Sequence, residues 1–356
     1  MKLTAPCHHA LLVLGLALSA APAGAQVKAD KLACFDQPDC DRLSNGTVEV
    51  VMPSAFGPRV ARYAFVGQEN VLGEAPGVGA VTDLGEWKPR GGHRLWHAPE
   101  GMPRSYSPDS ARVERSVSGA TIRLRQAVEP KVGIQKEIAV TLDPAGTHVT
   151  VRHVLTNRNL WPVELAAWAM SIMNGGRGNP GTSPSLPLRG EGQGGGSMNE
   201  GGTVIFPQEP YGDHAHNLLP ARPLVLWSYT DLGDPRFSIG AKYIRVRVMP
   251  DRTEPQKIGI GNKQGWAAYH RGRTLFVKRV PWDDAARYAD LGSNCETYVS
   301  GSFVELESLG PLQRLEPGAS TEYVEHWYLF PDVEIGATEA TLDAALQPLI
   351  PKTVPR

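Results

Sequence analysis

Net charge, cysteine and long apolar runs are all in short supply in these 356 residues. Lys and Arg number 36 against 37 Asp and Glu, a formal charge of −1. A balance so close to zero leaves no electrostatic footprint for nucleic acid or an anionic membrane surface, and neither partner is expected. Beyond the N-terminus no segment is apolar for long enough to span a bilayer. The chain also lacks a nucleophile elbow, a phosphate-binding glycine loop, a dinucleotide fingerprint and a paired CxxC, so no cofactor is expected. Amphipathic helical periodicity is scarce as well. It is credible only near the end, where Ala337 to Leu349 follows Gly336.

What is present begins with a leader. Lys2 precedes an apolar run from Ala10 to Ala21, and Ala23-Gly24-Ala25 stands before Gln26. This is the n-region, h-region and small-x-small site of a secretory signal peptide over residues 1–25, cleaved near Ala25. The expected address is the periplasm or the extracellular space. Export permits disulfides among the three remaining cysteines, Cys34, Cys40 and Cys295. Cys34 and Cys40 flank the turn-like Asp36-Gln37-Pro38-Asp39 and form the preferred bridge, within an N-terminal segment 26–43. A zinc site lacks both the short ligand spacing and a second pair. Cys295 is then free and buried, or displaces one member of the pair.

From residue 44 to 335 short alternating runs dominate. Ile134 to Leu142 and His148 to Leu155 flank Asp143-Pro144-Ala145-Gly146 and read as a hairpin. Thr121 to Ala127, Tyr243 to Met249, Leu275 to Arg279, Ser302 to Leu309 and Tyr323 to Phe330 repeat the pattern. Many such strands with turns between them imply an all-β antiparallel sandwich or barrel. Asn174 to Gly202, loaded with Gly, Pro and Ser, reads as one long loop that either covers a cleft or is a surface insertion. Residues 336–356 form a C-terminal tail carrying the short helix.

Three clusters bear chemistry. In Arg90-Gly91-Gly92-His93-Arg94-Leu95-Trp96-His97, paired glycines allow a sharp turn or close approach of a ligand, beside residue types that bind polar molecules. His93, Arg94 and Trp96 are candidates for a cleft, whereas His153, on the apolar face of its strand, reads as structural. In Phe303 to Leu309 the period of two sends Val304 and Leu306 to the core and Glu305 and Glu307 to the opposite face. In Tyr243 to Met249, Tyr243, Arg245 and Arg247 share a face that either grips a carboxylate or sulfate or keeps an exposed strand soluble. Aromatic residues beside polar ones, Trp87, Trp96, Trp266 and Trp282, suit sugar rings or a core. Asp213, His214 and His216 are too few for a metal to be assigned.

Several strings resemble a bacterial family of galactose mutarotase-like proteins, domain of unknown function 4380. They are Asn45-Gly46 with Val48 to Met52, Phe56-Gly57-Pro58-Arg59, Gly91 to Trp96, Leu224 to Arg236, Gly261 to Tyr269 and Glu305 to Leu329. The resemblance implies a large two-sheet antiparallel supersandwich and a sugar ligand. In aldose 1-epimerases of this fold a carboxylate base takes the anomeric proton and a His protonates the ring oxygen. Leu306-Glu307-Ser308-Leu309 resembles the base motif, which makes Glu307 the implied base, Glu305 its rival, and His93 and Arg59 loose counterparts of the other site groups. The acid His usually follows a strand ending in Asn, as Asn157 does here, but Ala166 to Met170 in that neighbourhood contains none. The expectation is an exported protein that binds a sugar or oligosaccharide through Arg59, His93, Arg94, Trp96, Arg245, Trp266, Glu305 and Glu307. The alternatives are an active epimerase with Glu307 and His93 as catalytic pair, a lyase or hydrolase on acidic glycans, and a non-catalytic interaction module.

Overall fold

A computed structural model describes residues 26–75, 77–176 and 201–355. The expected leader and most of the glycine-rich stretch lie outside the described residues. The rest is the expected all-β sandwich: two large antiparallel sheets, with one α-helix, Glu339–Leu346, packed late in the chain. None of the described helices is long and apolar enough to cross a membrane.

The first sheet has eight strands. Along its main path they run Leu224–Leu226, Gln256–Ile260, Cys295–Ser300, Phe303–Leu309, Val163–Met173, His93–Ala98 and Arg59–Val60, with Gln313–Leu315 pairing the start of Val163–Met173. The second has ten strands, Glu114–Ser118 at one edge and Phe237–Ile239 at the other. The predicted hairpin is at its centre, Ile134–Leu142 against Val149–Asn157 in unbroken register from Ile134↔Asn157 to Leu142↔Val149.

Period-two alternation builds the core between the sheets. Leu95, Ala167, Ala169, Ile258, Ile260, Val299, Val304 and Leu306 from the eight-stranded sheet meet Ile138, Val140, Val151, Phe276 and Trp327 from the ten-stranded one, all buried. Every second residue of the eight-stranded sheet therefore faces outward, away from its partner sheet. The outer face of the ten-stranded sheet is closed by the chain's own end: Leu342 and Leu346 of the helix pack on Ile205, Tyr243, Trp266, Leu275 and Val277.

The N-terminal segment is a hairpin, Lys28–Cys34 with Gln37–Ser44, that joins Val48–Met52 and Arg62–Phe65 in a four-stranded sheet. Cys34 and Cys40 are bonded, with Cα atoms 6.0 Å apart, and Cys295 is a buried free thiol.

Candidate functional site

The outer face of the eight-stranded sheet collects charge on an aromatic floor. On strand Phe303–Leu309, Glu305 and Glu307 point outward, as the alternation required. Across the sheet, Met170 pairs with Glu307 and Trp168 with Leu309, so Trp168 also emerges on this face. On the other side Glu296 is the direct partner of Glu307, and Gly259 the partner of Glu296. Arg94 and Trp96 face outward from strand His93–Ala98, whose Trp96 sits opposite Trp168.

Lys257 organises the centre. Its Nζ lies 2.8 Å from Glu296 Oε2 and 3.1 Å from Glu307 Oε2, while Trp168 Nε1 donates to the same Glu307 oxygen at 2.8 Å. The ammonium also sits 4.8 Å and 4.7 Å from the ring centres of Trp168 and Trp227, close enough for cation–π attraction. Next to this group Arg94 Nη2 donates to Glu305 Oε1 at 2.8 Å, its guanidinium stacked 5.1 Å over Trp96 and 5.6 Å over Trp87. Trp96 in turn packs edge-on against Trp168 and Tyr106.

Three carboxylates thus share two cations in a dry setting. Glu296 has its pKa raised well above the ordinary carboxylate range, first by burial and then by the charges of Glu307 and Asp290, against the pull of Lys257. Glu305 is also raised by burial, with Arg94 opposing. For Lys257 burial opposes the charge, but Glu307 and Glu296 outweigh it and keep the ammonium protonated. One neutral carboxyl among the three balances the two cations, and Glu296 is the group its surroundings select. Several polar atoms of this face are buried without a hydrogen-bond partner: Arg94 Nε and Nη1, Glu307 Oε1 and Glu296 Oε1. At the rim stand Glu100 and Tyr229, both exposed, with Asp290 and Tyr298 partly covered. Burial and the nearby carboxylates push the Tyr229 hydroxyl up to about 12, despite Lys257.

Of the residues expected from sequence, Arg94, Trp96, Glu305 and Glu307 come together here. Arg59 is the strand partner of Arg94 but is completely covered. Its guanidinium donates to the carbonyls of Pro89 and Gly91 at 2.6 and 2.5 Å and to Asp109 Oδ2 at 2.6 Å. It anchors the chain that turns at Gly91-Gly92. Those glycines serve backbone crossing rather than a ligand: at φ +124° and +69°, an added Cβ would lie 2.4 Å from the Gly73 carbonyl oxygen and 2.2 Å from that of Val60.

His93 does not join them. It shares a strand face with Leu95, not with Arg94, and points into the inter-sheet core. There its Nε2 is 2.7 Å from His153 Nε2 and its Nδ1 2.8 Å from Ser171 Oγ. His153 Nδ1 is 3.0 Å from the Tyr323 carbonyl oxygen and must donate to it. His153 Nε2 is then an acceptor, His93 Nε2 the donor to it, and His93 Nδ1 the acceptor from Ser171. The one proton of each ring is committed inside the core, and burial holds both rings well toward the neutral form. The expected pairing of His93 with Glu307 therefore fails on geometry, because the two side chains emerge on opposite faces of one sheet.

Arg245 and Trp266 are also elsewhere. Both belong to the ten-stranded sheet: Arg245 donates to the Ala337 carbonyl and to Ser238, and Trp266 lies under the C-terminal helix. The cationic face of Tyr243, Arg245 and Arg247 is spent on the chain itself, with the Tyr243 hydroxyl on Asp343 and Arg247 on the Pro235 carbonyl. Asp213 and His216 pair with each other in an exposed loop.

Sequence reasoning missed Glu296, Lys257 and Trp168. Lys257 lies in Gln256–Ile260, where all five residues are buried and no polar face shows in the pattern. Glu296 lies on Cys295–Ser300, and only its register with Glu307 gives it a role.

No family model matches the chain, so the narrower likeness to domain of unknown function 4380 gains no support there. No curated protein matches either. Solved structures do. A galactose mutarotase-like protein from Lactobacillus casei is 10% identical, covering 82% of this chain and 100% of its own, at a TM-score of 0.50. A proposed aldose 1-epimerase from Klebsiella pneumoniae is 13% identical over 92% of this chain and 87% of its own, also at 0.50. A TPR-domain containing protein from Parabacteroides distasonis is 12% identical over 84% of this chain and 49% of its own, at 0.51. By its two-sheet architecture and by these likenesses, the chain has the galactose mutarotase-like fold.

Proposed function

We propose that this is an exported carbohydrate-active protein that holds a sugar on the outer face of the eight-stranded sheet. The observation that carries the reading is the combination there of flat aromatic faces with buried polar atoms that have no partner in the protein. Trp227 is half-buried on this face and Trp87, Trp96 and Trp168 are buried within it; sugar C–H faces stack on such planar apolar rings while hydroxyls need directed donors and acceptors. Arg94 has unpaired donors and Glu307 an unpaired acceptor, all buried beneath this face. Unsatisfied buried groups are rare in native proteins and each calls for an explanation, a bound ligand or water being one. The leader supports export, and the fold likeness raises the prior for a sugar without deciding it.

The test is direct binding. Calorimetry and tryptophan fluorescence against a panel of neutral aldoses and short oligosaccharides are expected to find a saturable ligand. Arg94→Met and Glu307→Gln should each weaken it at least tenfold. A blank panel, together with a blank glycan array, overturns the reading in favour of a non-sugar interaction module. The acidic-glycan alternative has lost its motivating observation, since Arg245 and Arg247 are bound to the chain's own backbone.

A further inference from the structure

We propose that Lys278 and Glu325 condense into an isopeptide bond that staples two neighbouring strands inside the inter-sheet core. The bond needs no ligand and is independent of the sugar site. The burial that shuts this pair off from outside molecules favours it. Both side chains have 0% exposure, with Lys278 Nζ 3.1 Å from Glu325 Oε1, and among the described residues no other ion pair is fully covered on both sides. Strand Thr274–Arg279 pairs with Ser320–Phe330, and Lys278 stands directly opposite Trp327. Glu325, two residues from Trp327, is therefore the diagonal neighbour of Lys278 on the same inward face. Phe276, Leu306 and Trp327 belong to the apolar core around them.

Three features point beyond an ordinary ion pair. First, a desolvated lysine amine is a strong nucleophile once it gives up its proton, and Glu325 Oε1 is in contact to accept that proton. Second, the carboxyl is polarised at both oxygens: Ser308 Oγ donates to Oε1, and Trp327 Nε1 donates to Oε2 at 2.7 Å. Third, the partners that an amide would need here are already in place. Trp327 Nε1 can donate to its carbonyl oxygen, and the Leu306 carbonyl oxygen, 3.3 Å from Lys278 Nζ, can accept from its N–H. The amide would thus be satisfied at both ends and carry no charge. The ion pair instead keeps two charges out of water, at a desolvation cost that offsets much of their attraction.

The step balances within the pair. A proton passes from the Lys278 ammonium to Glu325 Oε1, leaving a neutral amine beside a neutral carboxyl. The Nζ lone pair attacks Cδ, and the electrons of the Cδ–Oε2 double bond move onto Oε2, where Trp327 Nε1 donates. A second proton moves from Nζ to Oε1. The Cδ–Oε1 bond then breaks as the Cδ–Oε2 double bond re-forms, and Oε1 departs as water. Nζ keeps one hydrogen, which faces the Leu306 carbonyl. One C–N bond has formed and one C–O bond has broken, nothing is oxidised or reduced, and no co-reactant is consumed. Two groups held in contact by the sheet react as one molecule, which removes the entropy cost of bringing them together. Exclusion of bulk water from the core then protects the amide from hydrolysis.

The experiment is high-resolution mass spectrometry of the purified full chain, folded first and then denatured with its disulfide reduced. The wild type should be lighter by one water, about 18 Da, than the mass calculated from its own N-terminus onward. Proteolytic digestion should yield a branched peptide whose fragmentation places the link between Lys278 and Glu325. Lys278→Met keeps the length of the side chain and removes the nucleophile, so the mass deficit should vanish. If that variant fails to fold, Lys278→Met combined with Glu325→Gln buries no unpaired charge and should likewise have the full calculated mass. A folded wild type at full mass overturns the proposal. So does a deficit that fragmentation places on other residues, or one that persists in the lysine variants.

Discussion

Glu296 and Glu307 face each other across adjacent antiparallel strands and share a single buried cation, Lys257. Taking an ammonium out of water costs several kcal/mol, which the two carboxylates and the flanking Trp168 and Trp227 rings repay. The arrangement is expensive to break from either side, and that makes it testable apart from any ligand.

Lys257→Met should therefore destabilise the fold by about 3–5 kcal/mol, because it strands a buried carboxylate. Combining it with Glu296→Gln and Glu307→Gln should restore much of the loss, since the variant then buries no unpaired charge. Urea denaturation of the single and triple variants reads both effects. A Lys257→Met protein as stable as wild type would show that the lysine is not holding the pair.

Acid should weaken the protein through its buried histidines. Arg104 Nη1 donates to His97 Nδ1 at 2.8 Å, so the ring must be neutral to accept. Burial, helped by Lys136 and Arg104 and opposed by Glu129, brings its pKa down to about 4. The unfolded chain binds this proton more readily, so the contribution is complete above about pH 6.5 and is lost as the pH falls toward 4. The slope is about 1.4 kcal/mol per pH unit for one such histidine. Denaturation midpoints at pH 7.5, 5.5 and 4.5 should show a shallower dependence for His97→Gln than for wild type; identical slopes count against this account.

The Cys34–Cys40 bridge closes a very short loop in an edge hairpin. Chain-entropy arguments assign it about 2 kcal/mol at that size. Reductant should lower the unfolding free energy by that amount in the wild type and leave a Cys34→Ser/Cys40→Ser variant unmoved. A reductant effect of equal size in the variant would point to some other cause.

Arg245 ties the strand Tyr243–Arg247 to the chain end at Ala337. Arg245→Ala should expose the segment after Ala337 to limited proteolysis and leave sugar affinity unchanged. Loss of affinity with an intact tail would return Arg245 to the ligand site.

Alternation alone was enough to place Val304 and Leu306 inward and Glu305 and Glu307 outward, because a strand side chain has only two directions to choose from. The same rule puts His93 and Arg94 on opposite faces, a constraint that the density of polar residues around them obscured. Which of those faces met the partner sheet was not readable, since His93-Leu95-His97 and Arg94-Trp96-Ala98 are about equally polar as written. The hairpin at 134–157, the C-terminal helix and the short cystine clasp were all local matters of period, turn and spacing, and local sequence sufficed for them.

Cross-strand register decided the rest. Lys257, Glu296 and Glu307 are far apart or unremarkable along the chain, and they meet only because Ile258 pairs with Thr297 and Thr297 with Leu306. That register is set by the fit of Ile258, Ile260, Val299, Val304 and Leu306 into the inter-sheet core, where a slip of one residue would turn every charge into that core and every aliphatic side chain out of it. The sequence by itself determined a β-sandwich with a carboxylate pair on one strand face. The packing of the two sheets determined that His93 is locked in the core and that Glu307 has Glu296 and Lys257 beside it instead, because a sheet brings together residues by hydrogen-bond register rather than by their order in the chain.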